Sequence, residues 1–218
     1  MTYSPRVEPT PDQWIAANGQ PNVGLFQDSI TSFNLEALDL RTEMDRPASW
    51  WRRQFGYKQF QFVALQSPEF VLAIAIADVR YVNSGFAYLY RKGLPPLQLS
   101  LLHPLAMRMQ MSQSPRQGTA RIGTARHGWQ LTPSDAGWQV ILTHPRLQVK
   151  VQIHRAQQAA LALCNATGYS GFTYTEKNNA LAVSGSITID GHALDLQHAR
   201  AGYDFSAGYM RRETSWRW

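Results

Sequence analysis

The chain holds one cysteine in 218 residues, which excludes an internal disulfide and any cysteine-rich metal site. That cysteine, Cys164, sits in "ALALCNATG" among small apolar residues, the setting of a packed thiol rather than a nucleophile. Lysine is almost as scarce: only Lys58, Lys92, Lys150 and Lys177 occur among 21 basic residues, and the rest are arginines. Acidic residues are missing altogether between Val79 and Ser134, a stretch that carries Arg80, Arg91, Lys92, Arg108, Arg116, Arg121 and Arg126. Such a stretch could serve an anionic partner, such as nucleic acid, a phospholipid surface or an anionic ligand. No five basic residues are consecutive, however, so the expectation is a solvated face and no nucleic-acid binding.

Long hydrophobic runs are also lacking. The longest, "FVLAIAIA" (Phe70 to Ala77), falls far short of the ~18 residues of a membrane span, so an integral membrane protein is not expected. Peripheral contact with a membrane stays open. The N-terminal "MTYSPRVEPTPDQW" has neither the apolar centre nor the small-residue cleavage site of a secretory signal, and the chain reads as soluble and cytoplasmic. The catalytic signatures G-x-S-x-G, phosphate loop, G-x-G-x-x-G and H-E-x-x-H do not occur. His103, His127, His144, His154, His192 and His198 are scattered and never form a tight ligand pair. No metal and no cofactor is indicated.

What the sequence does contain is a period of two. From Trp50 onward, apolar and polar residues alternate. "YKQFQFVAL", the turn "QSPE" and "FVLAIAIADV" predict a hairpin over Tyr57 to Val79. "GFAYLYR" follows, and Pro104 divides Leu97 to Ser112 into two strand pieces, with Met107, Met109 and Met111 on one face. "LQVKVQIH" alternates cleanly, "QQAALALCN" reads as strand, and "ALAVSGSITIDGHALDL" predicts a hairpin turning on Asp190-Gly191. Short strands at this spacing, without a long helix, predict an all-β antiparallel barrel or sandwich. Residues 1–48, rich in Pro, Asn, Gly and Asp, form an irregular lead-in packing on the barrel. Residues 49–199 form the first barrel domain.

The closing segment "RAGYDFSAGYMRRETSWRW" is unusual for a terminus, which is ordinarily polar and loosely held. Asp204 lies between Tyr203 and Phe205, followed by Arg211, Arg212, Trp216 and Trp218. "FTYTEKNNALAVSGSITIDG", "ARAGYDFSAG" and "RRETSWRW" resemble the bacterial family catalogued as domain of unknown function 2804. More distantly, "GYDFSAG" with "WRW" resembles the Y-x-D-x-x-x-G … W-x-W pattern of carotenoid 1,2-hydratase and tocopherol-cyclase-like proteins. That resemblance implies a calycin-like fold of two consecutive lipocalin-type barrels. Residues 200–218 would then start a second, truncated barrel, and the missing barrel would be a partner of the first.

The resemblance further implies a hydrophobic ligand, a lipid or isoprenoid, with Asp204 as the catalytic candidate in an alternative hydratase or cyclase role. A proton donor to an alkene needs a carboxyl held neutral by burial. Phe205 and Ser206 depart from the hydratase pattern, and a neighbouring Arg211 or Arg212 would pull the carboxyl the other way. The ion-paired, structural reading of Asp204 is therefore the expectation. Candidate ligand-contacting residues are Tyr88, Tyr90, Trp138 and Tyr174, each in a predicted strand and expected to line the barrel interior. Lys177, Tyr203, Trp216 and Trp218 complete the set.

Overall fold

The alternating segments fold as strands of one antiparallel sheet in the computed structural model, which describes residues 6–30, 32–105, 108–112, 114–156 and 160–210. The lead-in forms β1 (Val7–Glu8), β2 (Gly24–Phe26), a 3-10 turn (Leu35–Ala37) and helix α1 (Trp50–Gly56). There follow β3 (Lys58–Gln66), β4 (Phe70–Asp78), β5 (Val82–Arg91), β6 (Leu94–Pro104), β7 (Met109–Gln110) and β8 (Ala120–Gly123). Next come β9 (Gly128–Ser134), β10 (Gly137–His144), β11 (Leu147–His154) and β12 (Leu161–Thr167). The last are β13 (Gly171–Ile189), β14 (His192–Ala193) and β15 (Arg200–Gly208). Strand makes up about 58% and helix about 5%, so the fold is all-β.

The strand order β6-β5-β4-β3-β15-β13-β11-β10-β9-β8-β7 curls into a nearly closed, calycin-like barrel. β13 is the hinge of this arrangement. Its first half pairs with β12 and β15, and its second half with β11. A register shift between Asn178 and Leu181, with Ala180 at φ 56°, bends the strand so that one segment serves both halves. The expected hairpin at Asp190-Gly191 is present, both residues having positive φ, but its return strand β14 is only two residues long. Across the barrel, the Trp129 indole of β9 donates to the Ala75 carbonyl of β4 at 3.0 Å. Gly85 on β5 makes room for that ring: a Cβ there would stand 2.5 Å from Trp129 Nε1.

Two sequence expectations are corrected. Alternation does not begin at Trp50. Ser49 accepts the Arg52 N–H at 3.3 Å and caps a seven-residue helix, so local capping overrides the strand preference of two tryptophans and a phenylalanine. Residues 200–208, assigned to a second barrel, form a central strand of this sheet: β15 pairs with β3 on one side and β13 on the other. Period two left open which face of β3 is inside, and the structure places the glutamines there. Tyr57, Gln59, Gln61, Val63 and Leu65 are buried while Phe60 and Phe62 are half-buried on the opposite face. The glutamines are inside because they find partners there: Gln61 Nε2 donates to Ser112 Oγ at 2.8 Å, and Gln59 Nε2 donates to the Ser112 carbonyl.

The lead-in supplies core. Trp14, Ile15, Phe26, Ile30, Phe33, Leu38 and Leu40 are buried against the barrel, with Trp14 edge-on to Tyr174 at 4.8 Å. Burial of Leu- or Phe-sized side chains of this kind stabilises by about 1.5–3 kcal/mol each.

Candidate functional site

Alternation along β15 separates Asp204 from the aromatics beside it in sequence. Tyr203 and Phe205 are buried in the barrel, while Asp204 lies on the other face, opposite Phe62 of β3 and Lys177 of β13. Asp204 is ion-paired to Lys177 through its carboxylate, with side-chain exposures of 22% and 46%. The expected pairing of Asp204 with Arg211 or Arg212 falls outside the described residues; within them its partner is Lys177. Arg211, Arg212, Trp216 and Trp218 lie outside the described residues. An alkene-protonating acid needs an apolar enclosure, and a partly exposed carboxylate beside an ammonium does not have one.

The other candidate ligand residues separate into two groups. Tyr88 and Tyr90 are exposed at 43% and 53%, so they stand on the outside of β5 and do not line the interior as expected. Trp138 and Tyr174 do point inward, as structural core. Trp138 stacks on Tyr203 with centroids 4.5 Å apart, and the Arg155 guanidinium lies 4.4 Å from the Trp138 ring. Tyr174 donates to Glu176 Oε2 at 3.0 Å and accepts the Ile30 N–H. Cys164 is buried, and burial pushes its thiol up to about 12, which fits a packed thiol. Within the acid-free stretch, Arg80 pairs with Asp78 and Arg116 with Asp28. No cluster of three or more metal-ligating side chains occurs among the described residues. No helix among them is long and apolar enough to cross a membrane.

The interior is filled rather than hollow. Trp14, Trp138, Tyr174, Tyr203, Phe172 and Phe205 are its largest fully buried side chains. Among them sits a carboxyl that the sequence pattern did not single out. Glu176, with no exposed surface, accepts from Tyr174 and, at 2.9 Å, from Asn178 Nδ2. Burial pushes its carboxyl above the usual range, against the pull of Ser29, Asn178, Tyr174 and the Arg155 charge. The acid that burial raises thus lies in the core, on the inward face of β13.

An open cleft of about 940 Å³ lies beside α1. Helix α1 contributes Trp51, Arg52 and Phe55, the barrel end contributes Lys58, Tyr81 and Tyr209, and Leu40 forms part of the floor. Trp51 stacks on Phe55 at 5.5 Å and 13°, and Trp50 meets Trp51 edge-on. Tyr209 is fixed by donating to the Arg53 carbonyl at 3.1 Å, and its ring passes 3.3 Å from the position of a Cβ on Gly56. Glu43 engages Arg52 with both oxygens, at 2.7 and 2.9 Å. That bond holds the Glu43 carboxyl down to about 2 and neutralises the guanidinium. Lys58 has no ion-pair partner among the described residues, which leaves the cleft one unmatched cation. The sequence signal for this site was the aromatic-basic run "WWRRQF", read as the start of alternation.

No curated protein matches the chain significantly in sequence. In fold the chain is similar to the solved structure of a Nitrosomonas europaea protein provisionally assigned as AttH, with a TM-score of 0.52 at 10% identity. That likeness covers 72% of this chain and 52% of the other, so the chain spans about half that protein's length. At such identity the likeness is one of fold alone. The model of the family described as Domain of unknown function (DUF2804) matches residues 7–218, and the chain belongs to that family.

Proposed function

We propose that the protein is a binding module for an apolar or amphipathic small molecule, a lipid or isoprenoid, held in the cleft beside α1. The carrying observation is the cleft itself: about 940 Å³ of aromatic-walled space outside a barrel whose interior is packed with its own side chains. This size and lining are typical of small-molecule sites. Trp51, Phe55 and Tyr209 offer rigid apolar walls at small entropic cost. Lys58 offers a cation to an anionic head group such as a carboxylate.

Titration with dodecanoate and dodecanol tests the reading through tryptophan fluorescence. Both are expected to bind, with Trp51→Ala abolishing the response. Lys58→Gln should weaken dodecanoate and spare dodecanol. No response to either probe would sink the proposal. The more distant resemblance to carotenoid hydratases and tocopherol cyclases would make the module an enzyme, but the Asp204–Lys177 pair weighs against an acid at that position.

A second reading rests on Trp50 and Trp51, exposed at 63% and 66% and followed by two arginines. Adjacent indoles with basic neighbours suit the interface of a bilayer, so this helix would make a peripheral membrane contact. Sedimentation with anionic vesicles, lost in Trp50→Ala/Trp51→Ala, separates that role from uptake of a monomeric ligand.

A further inference from the structure

A second concavity, of about 190 Å³, opens at the same end of the barrel but on the inner face of the sheet. Cross-strand register builds it: Gln59 of β3 stands opposite Asp78 of β4, and Asp78 opposite Asn83 of β5. Tyr57 and Arg80 complete the polar wall, and Leu35, Met109 and Met111 form an apolar one. The row continues from Asn83 to His103 of β6.

Several of these groups are buried without partners. Tyr57 is only 3% exposed and Asn83 2%, yet the Tyr57 hydroxyl and Asn83 Oδ1 have no hydrogen-bond partner among the described residues. Arg80 Nε is in the same condition, as is His103 Nε2 beyond the pocket's lining. Buried polar atoms are ordinarily paired, and leaving several orphaned around one small space is costly. The neighbouring contacts determine what each orphan offers. The Asn83 amide nitrogen is used by the Leu105 carbonyl, so its oxygen is left to accept. Asp78 Oδ1 accepts the Arg80 N–H at 2.7 Å, and Asp78 Oδ2 lies 3.7 Å from Arg80 Nη1. This pairing cancels charge and leaves Arg80 Nε to donate. The Arg80 guanidinium rests 5.0 Å above the Tyr57 ring. Arg80 itself has φ 71°, a left-handed backbone unusual for a residue with a long side chain.

We propose that this pocket binds a small neutral molecule of the carboxamide type, recognised by Tyr57, Arg80 and Asn83. The donor-acceptor pattern selects that class. A carboxylate has no proton to give Asn83 Oδ1 and would face Asp78. An ammonium has no acceptor for Arg80 Nε. A primary amide presents an N–H₂ beside a carbonyl and satisfies both, with its carbon substituent against the two methionines. The space admits a compact molecule and not a chain-length lipid, so the site is separate from the α1 cleft.

Solution NMR of the full isotope-labelled chain, titrated with acetamide, acetate or methylammonium into the tens of millimolar, tests the assignment. Acetamide should shift the Asn83 side-chain amide and the Tyr57 ring saturably, and the two ions should not. Tyr57→Phe removes only the hydroxyl and should weaken acetamide about tenfold. Its melting temperature without ligand should stay the same or rise, because that hydroxyl has no partner to lose. The proposal is overturned by an absence of saturable shifts with acetamide, by equal acetamide affinity in Tyr57→Phe, or by acetate binding as well as acetamide.

Discussion

Glu176 offers the sharpest test of how this barrel is held together. Its carboxyl is fully buried and accepts from Tyr174 and Asn178. Desolvation raises it above the usual carboxylate range. In the unfolded chain it titrates at its ordinary value, so on raising the pH the unfolded state gives up its proton first. The stability contributed by Glu176 is therefore complete below the ordinary carboxylate range. It falls as pH climbs towards the raised value. Glu176→Gln keeps the shape and removes the titration. The wild type should lose melting temperature relative to this variant on going from pH 5 to pH 8. Histidines and other groups titrate equally in both proteins and drop out of the difference. Glu176→Leu is harsher, because it strands the Tyr174 hydroxyl and the Asn178 amide. At about 1–3 kcal/mol per orphaned group this costs roughly 2–6 kcal/mol. In a domain of this size that is a fall of roughly 5–20 °C in melting temperature. Thermal unfolding followed by circular dichroism reads both variants. Parallel pH profiles for wild type and Glu176→Gln would refute the claim that burial dominates this carboxyl, and an unchanged Glu176→Leu would refute its role as a hub.

Three further outcomes follow from the geometry. Gly85→Ala places a Cβ 2.5 Å from Trp129 Nε1 and 2.8 Å from Ile122 Cγ2. It should destabilise by about 1–3 kcal/mol, read as a lower urea midpoint at unchanged slope. Asp204→Asn breaks only a partly exposed pair with Lys177, so a cost under about 1 kcal/mol is expected. A loss several times larger would mean that the pair is not the screened contact it resembles. With Arg80 and Arg116 already matched to Asp78 and Asp28, short single- or double-stranded oligonucleotides should not bind below micromolar at physiological salt. A gel-shift titration checks this.

Much of the fold was legible because a sheet writes its period into the chain. The β3–β4 hairpin, the break at Pro104 and the Asp190-Gly191 turn all sit where alternation and turn chemistry put them. Period two, however, only separates the two faces; it does not say which is inside. In "YKQFQF" the phenylalanines are the more apolar face, yet the glutamines are buried, because Ser112 arrives from fifty residues away to satisfy them. No local pattern carries that information. Helix α1 escaped for the opposite reason. It is seven residues long, too short to display a helical period, and one serine hydroxyl determines where it starts.

The same ambiguity of faces accounts for the acid. "GYDF" puts an aspartate between two aromatics, and proximity in sequence suggests an apolar enclosure. On a strand, immediate neighbours point apart. Tyr203 and Phe205 therefore carry their aromatic surface into the barrel and turn Asp204 out towards Lys177. "FTYTEKN" follows the same rule with the opposite result. Phe172, Tyr174, Glu176 and Asn178 share the inward face, so the glutamate, flanked in sequence by a threonine and a lysine, is the carboxyl that ends up dry. The residues two places away, and not the adjacent ones, decided which acid the fold buries. A search of this sequence for a perturbed carboxyl would have had to read every second residue.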